Sequence, residues 1–212
     1  DFESAALLYI ANDVPEPSDR NGHQRAIEQG VLKISQAIGG KTLVLFTSYE
    51  QLKRTSKAIS PILARQDIRV YEQGEGASAN TLLENFRSDE RAVLLGTRAF
   101  WEGVDVPGEA LSALVLTKMP FDVPSDPIIA ARSETFEDPF SQYSLPEAIL
   151  RFRQGFGRLI RTQSDRGIVV ILDRRILTKR YGKLFIESLP TCTMQVGALA
   201  DLPRAATKWL NL

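Results

Sequence analysis

The segment Ile168-Val169-Val170-Ile171-Leu172 is an unbroken run of five apolar residues. Successive side chains of a β-strand point to opposite faces, so such a run indicates a strand covered on both sides, as in parallel sheets. Similar short runs recur along the chain. Together they predict strands at Ala5–Ile10, Thr42–Phe46, Ile68–Tyr71, Ala92–Leu95, Ala113–Leu116 and Ile168–Leu172.

Helical patterns lie between these runs. The predicted helices are His23–Ile38, Tyr49–Leu63, Ala79–Phe86, Pro146–Ile160 and Arg174–Ser188. Alternating strands and helices predict an α/β fold with three layers, a mostly parallel sheet and helices on both faces. The longest irregular region, Met119–Leu145, holds four prolines and one predicted short helix near Ile128–Ser133. A loop of that length in a compact domain indicates a functional excursion.

Composition excludes several classes of site. The 212 residues carry a net charge of zero, yet Arg151–Lys183 contains ten basic residues and only two acidic ones. A single Cys192 and a single His23 argue against an internal disulfide, a four-cysteine iron–sulfur cluster and a cysteine- or histidine-based metal site. No run of about 18 apolar residues exists, so we expect no transmembrane helix.

The chain begins at Asp1 without a start methionine or a signal peptide. We interpret it as a piece of a longer protein.

The segment Gln154-Gly155-Phe156-Gly157-Arg158-Leu159-Ile160-Arg161 carries the strongest chemical signal. Its spacings of four and three residues place Gln154, Arg158 and Arg161 on one face of the predicted helix, with Arg151 on the same face. Guanidinium groups are always charged and bind phosphate oxygens through two parallel donors. This pattern is typical of residues that stabilise charge on a transferring phosphoryl group.

The alternative is a solvated face, because arginines aligned along a helix usually form surface ion pairs. Two glycines favour the functional interpretation. Gly155 and Gly157 would each destabilise a helix interior by about 1 kcal/mol relative to alanine. They therefore indicate a close backbone approach or an irregular turn.

Polar residues also follow the predicted strands, where ligands bind in open α/β sheets. The segments that follow the strands are Thr47-Ser48-Tyr49-Glu50, Gly96-Thr97-Arg98, Trp101–Gly108 and Thr117-Lys118. Thr47 and Glu50 fit a capping box, which predicts a helix start that could also bind phosphate. Glu102 and Asp105 could cap a turn, hydrogen-bond a ribose or hold an arginine in place. For Trp101 core packing is favoured over base stacking.

A phosphate-binding loop is absent from the sequence. Gly40-Lys41-Thr42 matches only the last three positions of that motif and leads into a strand, so we interpret it as a helix end with a glycine stop. Asp89-Glu90 precedes a strand rather than following one, which makes it a poor magnesium motif. The arginines therefore suggest one half of a composite ATP site.

Five segments together resemble the second RecA-like motor domain of superfamily 2 helicases, in the DinG branch of the XPD-like group. Gln154–Arg161 is similar to helicase motif VI, Phe100–Gly108 to motif V and Leu45–Tyr49 to motif IV. Lys118–Pro127 and Asp165–Arg175 support the match, which covers the chain from about Leu43 to Arg175. The resemblance implies a RecA-like, P-loop NTPase-like fold for residues 1–212, with the first motor domain outside this chain.

The resemblance also implies roles for individual residues. Arg158 and Arg161 would be arginine fingers that reach ATP, and Gln154 would couple that contact to the chain. Glu102, Gly103 and Asp105 would lie at the nucleotide and link it to DNA. The implied contacts to the phosphates of a single strand are Thr47, Ser48, Thr97 and Arg98.

The implied partners are single-stranded DNA and the first RecA-like domain of the same polypeptide. ATP with Mg²⁺ would be held mainly by that domain, and no iron–sulfur cluster is expected in this segment. The whole protein would be an ATP-dependent DNA helicase in bacterial DNA repair or replication-conflict processing, and this chain alone would be inactive. The competing hypothesis is a non-catalytic α/β module that binds nucleic acid or protein. A Rossmann dehydrogenase is disfavoured, because Gly155-Phe156-Gly157 lies inside a helical pattern and late in the chain.

Overall fold

A seven-stranded parallel sheet forms the centre of the molecule, in the strand order β3-β4-β2-β5-β6-β1-β7. The computed structural model describes residues 2–74, 76–102, 111–159 and 165–212. The strands are β1 Ala6–Ala11, β2 Thr42–Leu45, β3 Arg69–Glu72, β4 Ala92–Gly96, β5 Ala113–Leu116, β6 Gly167–Ile171 and β7 Thr193–Gly197. Because every strand pair is parallel, the carboxyl ends of the strands meet at one edge of the sheet.

Helices cover both faces of this sheet. The α-helices are α1 Phe2–Ala5, α2 Arg20–Ile38, α3 Tyr49–Ala64, α4 Ala79–Ser88, α5 Arg98–Trp101, α6 Pro127–Ser133, α7 Leu145–Phe156, α8 Arg175–Thr178, α9 Gly182–Glu187 and α10 Leu202–Leu210. A π-helical turn spans Phe140–Ser144, and a 3₁₀ turn spans Leu199–Asp201.

The unbroken apolar runs are buried on both sides, as the sequence predicts. Every residue of β1, β2, β4, β5 and β6 is buried. Alternate side chains of these strands belong to two separate hydrophobic clusters, one on each face of the sheet. One lies between the sheet and α4, α7 and α9, and the other lies between the sheet and α2, α3 and α10. The predicted three-layer α/β architecture is confirmed.

All six predicted strands are present, and none of their ends differs from the prediction by more than one residue. The structure adds β7, an edge strand that pairs only with β1. Its two large apolar side chains, Met194 and Val196, are exposed. Strand β7 therefore lacks the buried apolar run by which the other strands are recognised.

Two helix predictions are wrong in their extent. The predicted helix Arg174–Ser188 is two short helices, α8 and α9, because Lys179 takes an extended conformation. The backbone of Gly182 packs against the carbonyl group of Ile176, and there is no room at that point for a side chain. The predicted helix Pro146–Ile160 ends at Phe156, with consequences for the site.

The glycine stop after α2 is confirmed. Gly39 caps the helix in the left-handed conformation with φ of 73°, and Gly40 follows with φ of 103°. The Thr42 hydroxyl donates to the carbonyl oxygen of Gly40 at 2.8 Å. Gly40-Lys41-Thr42 thus forms a turn that enters β2, and it does not open a helix as a phosphate-binding loop would.

Candidate functional site

Helix α7 carries Gln154, and it ends at Phe156, before Arg158. Pro146 lies in the first turn, where the absence of its N–H does no harm, and Gly157 caps the last turn. Arg158 follows in a turn, and its N–H donates to the carbonyl oxygen of Gly155 at 3.1 Å. The prediction of one continuous helix face for Gln154 and Arg158 is therefore wrong. Arg161 lies outside the described residues.

The two glycines of this segment have different surroundings. A Cβ atom on Gly155 would lie 2.9 Å from two ring carbons of Trp101, which is too close for a side chain. Gly157 instead marks the end of the helix with ordinary α-helical dihedral angles. The predicted close backbone approach is present at Gly155, and a non-helical turn follows Gly157, whose own conformation has room for a Cβ atom.

Trp101 belongs to the core, as its sequence context favours. It is 2% exposed, and its Nε1–H donates to the carbonyl oxygen of Phe46 at 3.2 Å. Its own carbonyl oxygen accepts from Nη2 of Arg158 at 3.3 Å. The carbonyl oxygen of the buried Trp101 therefore holds the partly buried Arg158 guanidinium at the residue before Glu102.

The turn that carries Arg158 is fixed from its other side. Leu159 is 1% exposed and packs at the start of β6, where a Cβ atom on Gly167 would meet its side chain at 2.7 Å. Gln154, in the last turn of α7, is exposed. The segment therefore has a buried anchor and two polar side chains nearer the surface.

Arg151 forms a fork with Asp122, a partner that sequence reasoning missed. Its Nη1 and Nη2 atoms donate to the two carboxylate oxygens of Asp122 at 2.7 and 3.1 Å. Nη1 also donates to the Pro120 carbonyl oxygen, and Nε donates to Glu102 Oε1, both at 3.3 Å. The fork is buried, with side-chain exposures of 12% for Arg151 and 8% for Asp122. The contact with Arg151 shows Glu102 in one of the roles considered for it, that of holding an arginine in place.

A short connection leads from β2 to α3, and the predicted cap of α3 is displaced by one residue. Ser48, and not Thr47, is the N-cap, and its hydroxyl accepts from the Gln51 N–H at 3.3 Å. The capping box of Thr47 with Glu50 is therefore wrong. Thr47 is half-buried and lines a cavity at this edge of the sheet.

Thr97 lies after β4 and is tied to a neighbouring strand end. Its backbone N–H and its hydroxyl both donate to Gln73 Oε1 at 2.8 Å. Thr47, Thr97 and Trp101 all line the same cavity. The structure thus brings together Thr47 and Thr97, two of the residues expected to contact single-stranded DNA, at the carboxyl ends of β2 and β4.

A buried polar cluster at the ends of β5 and β6 was not predicted. Asp173 is fully buried, and its Oδ2 atom accepts from Arg175 Nη2 at 2.6 Å and from the Met119 N–H at 2.8 Å. Burial lowers the pKa of Lys118, and the nearby Arg175 and Arg20 lower it further. In the sequence, this cluster is indicated only by the charged residues Asp173 and Arg175 after the apolar run Ile168–Leu172.

His23 is part of the same buried region. It is fully buried, and its Nε2 atom lies 2.9 Å from the Leu172 carbonyl oxygen, so that nitrogen carries the proton. Burial lowers the pKa of His23. The side chain is therefore a neutral structural donor.

Several predicted site residues lie outside the described part of the chain. These are Gly103, Asp105, Arg161 and the side chain of Arg98. Among the residues that the structure describes, no group of three or more acidic, histidine or cysteine side chains could hold a metal ion. Within the same residues, no helix has both the length and the apolar character needed to cross a bilayer.

Comparison with known families gives a match over most of the chain. The model of a family described as the helicase C-terminal domain matches residues 31–192, which is more than half of the chain. The sequence is 37% identical over 194 residues to the "ATP-dependent DNA helicase YoaA" of Escherichia coli, covering 90% of this chain and 30% of that protein.

Two further relatives carry related names. The identity is 35% over 215 residues to the "ATP-dependent helicase DinG" of Mycobacterium tuberculosis, covering 96% of this chain and 32% of that protein. It is 43% over 159 residues to the "3'-5' exonuclease DinG" of Bacillus subtilis, covering 73% and 17%. The chain therefore spans about a third or less of the length of these relatives.

Solved structures share the fold. A structure named "XPD_Helicase" superposes with a TM-score of 0.68 at 24% identity, over 91% of this chain and 35% of that one. The "C-terminal domain of the DEAD-box protein Dbp5" superposes with a TM-score of 0.56 at 14% identity, over the full length of both chains. The RecA-like fold expected from the sequence is confirmed.

Proposed function

The chain belongs to the helicase C-terminal domain family, and we propose that residues 1–212 form the second motor domain of an ATP-dependent DNA helicase. The observation that carries the proposal is the family match over residues 31–192, within which α7 and the ends of β2, β4 and β5 lie. The names of the relatives from E. coli and M. tuberculosis support the activity. Their bacterial origin supports a cytoplasmic location close to DNA.

The proposed contribution to catalysis is a pair of arginine fingers. Arg158 and Arg161 would complement negative charge on the transferring phosphoryl group, and Gln154 would contact the same nucleotide. Two observations support this role for Arg158: it lies in a turn that Leu159 anchors, and the residue as a whole is only half-buried. A finger must be fixed at its base and accessible at its tip.

ATP and Mg²⁺ fit this site only in part. The guanidinium of Arg158 and the amide of Gln154 offer donors to phosphate oxygens. The described residues hold no acidic cluster for Mg²⁺. We therefore assign the triphosphate and its metal mainly to the first RecA-like domain of the same polypeptide, with Glu102, Gly103 and Asp105 at the junction between nucleotide and DNA.

The proposed DNA contacts lie at the carboxyl ends of β2 and β4. Ser48 uses its hydroxyl oxygen to accept from Gln51, so the hydroxyl hydrogen can be donated to a phosphate oxygen. Thr47 lies beside it at the start of α3, where the N-terminus of a helix favours an anion. Thr97 would have to exchange its hydrogen bond to Gln73 for one to a phosphate. Arg98 completes the proposed set.

Ser48→Ala in the full-length protein tests the proposed strand contact against the loss of a helix cap. We expect the substitution to lower the free energy of unfolding by about 1 kcal/mol. We also expect it to weaken binding to single-stranded DNA about tenfold, because a hydrogen bond to a charged phosphate is lost. Affinity is measured by fluorescence anisotropy at one fixed salt concentration.

Ser78→Ala is the matched control, because Ser78 caps α4 in the same way by accepting from the Thr81 N–H at 3.1 Å. It should lose similar stability and keep its DNA affinity. Equal DNA affinities for the two variants would remove Ser48 from the strand contacts.

A further inference from the structure

A cavity of about 300 Å³ lies at the carboxyl ends of β2, β4 and β5. Its walls combine apolar and polar residues from several different elements. The apolar part includes Phe46 after β2, Trp101 in α5, Phe121 and Val123 after β5, and Ile129 in α6. Its volume is at the lower end of the range for small-molecule sites, so it suits one flat ring system.

The charged groups in this cavity are already engaged. The guanidinium of Arg151 is forked on the carboxylate of Asp122, so the two charges compensate each other. Asp126 caps α6 by accepting from the Ile128 N–H at 2.9 Å. Two carboxylates beside an apolar wall disfavour a phosphate in the interior. The cavity therefore favours an uncharged aromatic ligand.

Polar groups lie beside an exposed aromatic ring at this site. Thr47, a proposed phosphate contact, lines the cavity together with Tyr49, which is 41% exposed. The ammonium group of Lys53 lies 5.2 Å from the centre of the Tyr49 ring. A hydroxyl and an ammonium beside an aromatic cavity are typical of single-strand binding sites, where the backbone meets polar groups and a base meets apolar ones.

We propose that this cavity takes one base of the single strand whose phosphates contact Thr47 and Ser48. The inference rests on the proposed function and adds a base-binding site to it. Arg151 forms part of the cavity wall, and it lies in the same helix that leads to Arg158 seven residues later. A base in the cavity therefore touches the element that positions the finger.

An abasic scan of the full-length protein tests the proposal. Oligonucleotides that each lack one base, at successive positions, are compared with the intact strand for affinity and for stimulation of ATP turnover. Loss of a stacked base should weaken binding about tenfold at the position that faces the cavity. The variant Val123→Trp, which fills the mouth of the cavity from an exposed position, should bind the intact strand about tenfold more weakly. Removal of the base at that one position should not weaken the binding of Val123→Trp any further.

Ile128→Trp is the matched control, because Ile128 is 64% exposed in α6 and does not line the cavity. It should bind like the unmodified protein. The proposal is overturned if removal of the same base weakens binding equally in the unmodified protein and in Val123→Trp. It is also overturned if no position weakens binding. Absence of any DNA binding or DNA-stimulated hydrolysis in the unmodified protein would instead contradict the proposed function itself.

Discussion

Arg158→Ala in the full-length protein should lower DNA-stimulated ATP turnover by about 10³- to 10⁵-fold, the usual contribution of an arginine finger. ATP binding should be largely spared, because the proposed first domain holds the triphosphate and the finger acts on charge that develops in the transition state. Turnover is measured by phosphate release at saturating DNA. Binding is measured with a fluorescent ATP analogue. The same outcome is expected for Arg161→Ala on the strength of the sequence.

Arg153→Ala is the matched control, because Arg153 is an exposed arginine on the same helix and has no proposed role. It removes the same charge and should leave turnover close to that of the unmodified protein. Arg158→Lys keeps the charge but loses the planar fork, so it should recover only part of the rate. Turnover near the unmodified rate in both Arg158→Ala and Arg161→Ala would rule out the finger assignment.

Asp173→Ala should destabilise the fold by about 3–5 kcal/mol, because it removes one partner of a buried ion pair. The carboxylate is fully buried, and it receives Arg175 through Nε at 2.9 Å and through Nη2 at 2.6 Å. The Met119 N–H also loses its acceptor, so the start of the excursion after β5 is released from the end of β6. Urea denaturation of the purified chain, followed by circular dichroism, gives the free energy of unfolding.

Glu187→Ala supplies the control for Asp173, since Glu187 is an exposed carboxylate in α9. Its effect should stay within about 0.5 kcal/mol. If Asp173→Ala had the same free energy of unfolding as this control, the ion pair at the sheet edge would not stabilise the fold.

The strands were predictable because each central strand is apolar on both faces. That single property places β1, β2, β4, β5 and β6 in a parallel sheet before any contact is known. Strand β7 has no such run. Helix α10 did leave a signal, since Leu202, Ala205 and Ala206 are buried at helical spacing.

The end of α7 was mispredicted for a physical reason. Phe156 and Leu159 are both buried, so the apolar pattern continues past Gly157 although the helix does not. The non-helical turn after Gly157 buries Leu159 against the start of β6, so the pattern of buried residues resembles that of a longer helix. Sequence periodicity reports which residues are buried, and two backbone paths can bury the same residues.

Which residues lie near the carboxyl edge of the sheet was predictable from the sequence, but their pairings were not. Gln154, Arg158, Glu102, Thr47 and Thr97 follow from motifs and strand ends. The fork of Arg151 on Asp122 joins residues that lie 29 positions apart, and no local pattern encodes it. The cavity beside it likewise exists only after β2, β4 and β5 are brought together.

We propose that this chain supplies half of an ATP site and needs a nucleotide held by another domain. The most direct test is ATP hydrolysis by the purified chain alone, with saturating single-stranded DNA and Mg²⁺. We predict phosphate release no faster than in a blank without protein, while the full-length protein hydrolyses ATP under the same conditions. Hydrolysis by the chain alone that rises with its concentration and disappears in its Arg158→Ala variant would contradict the account.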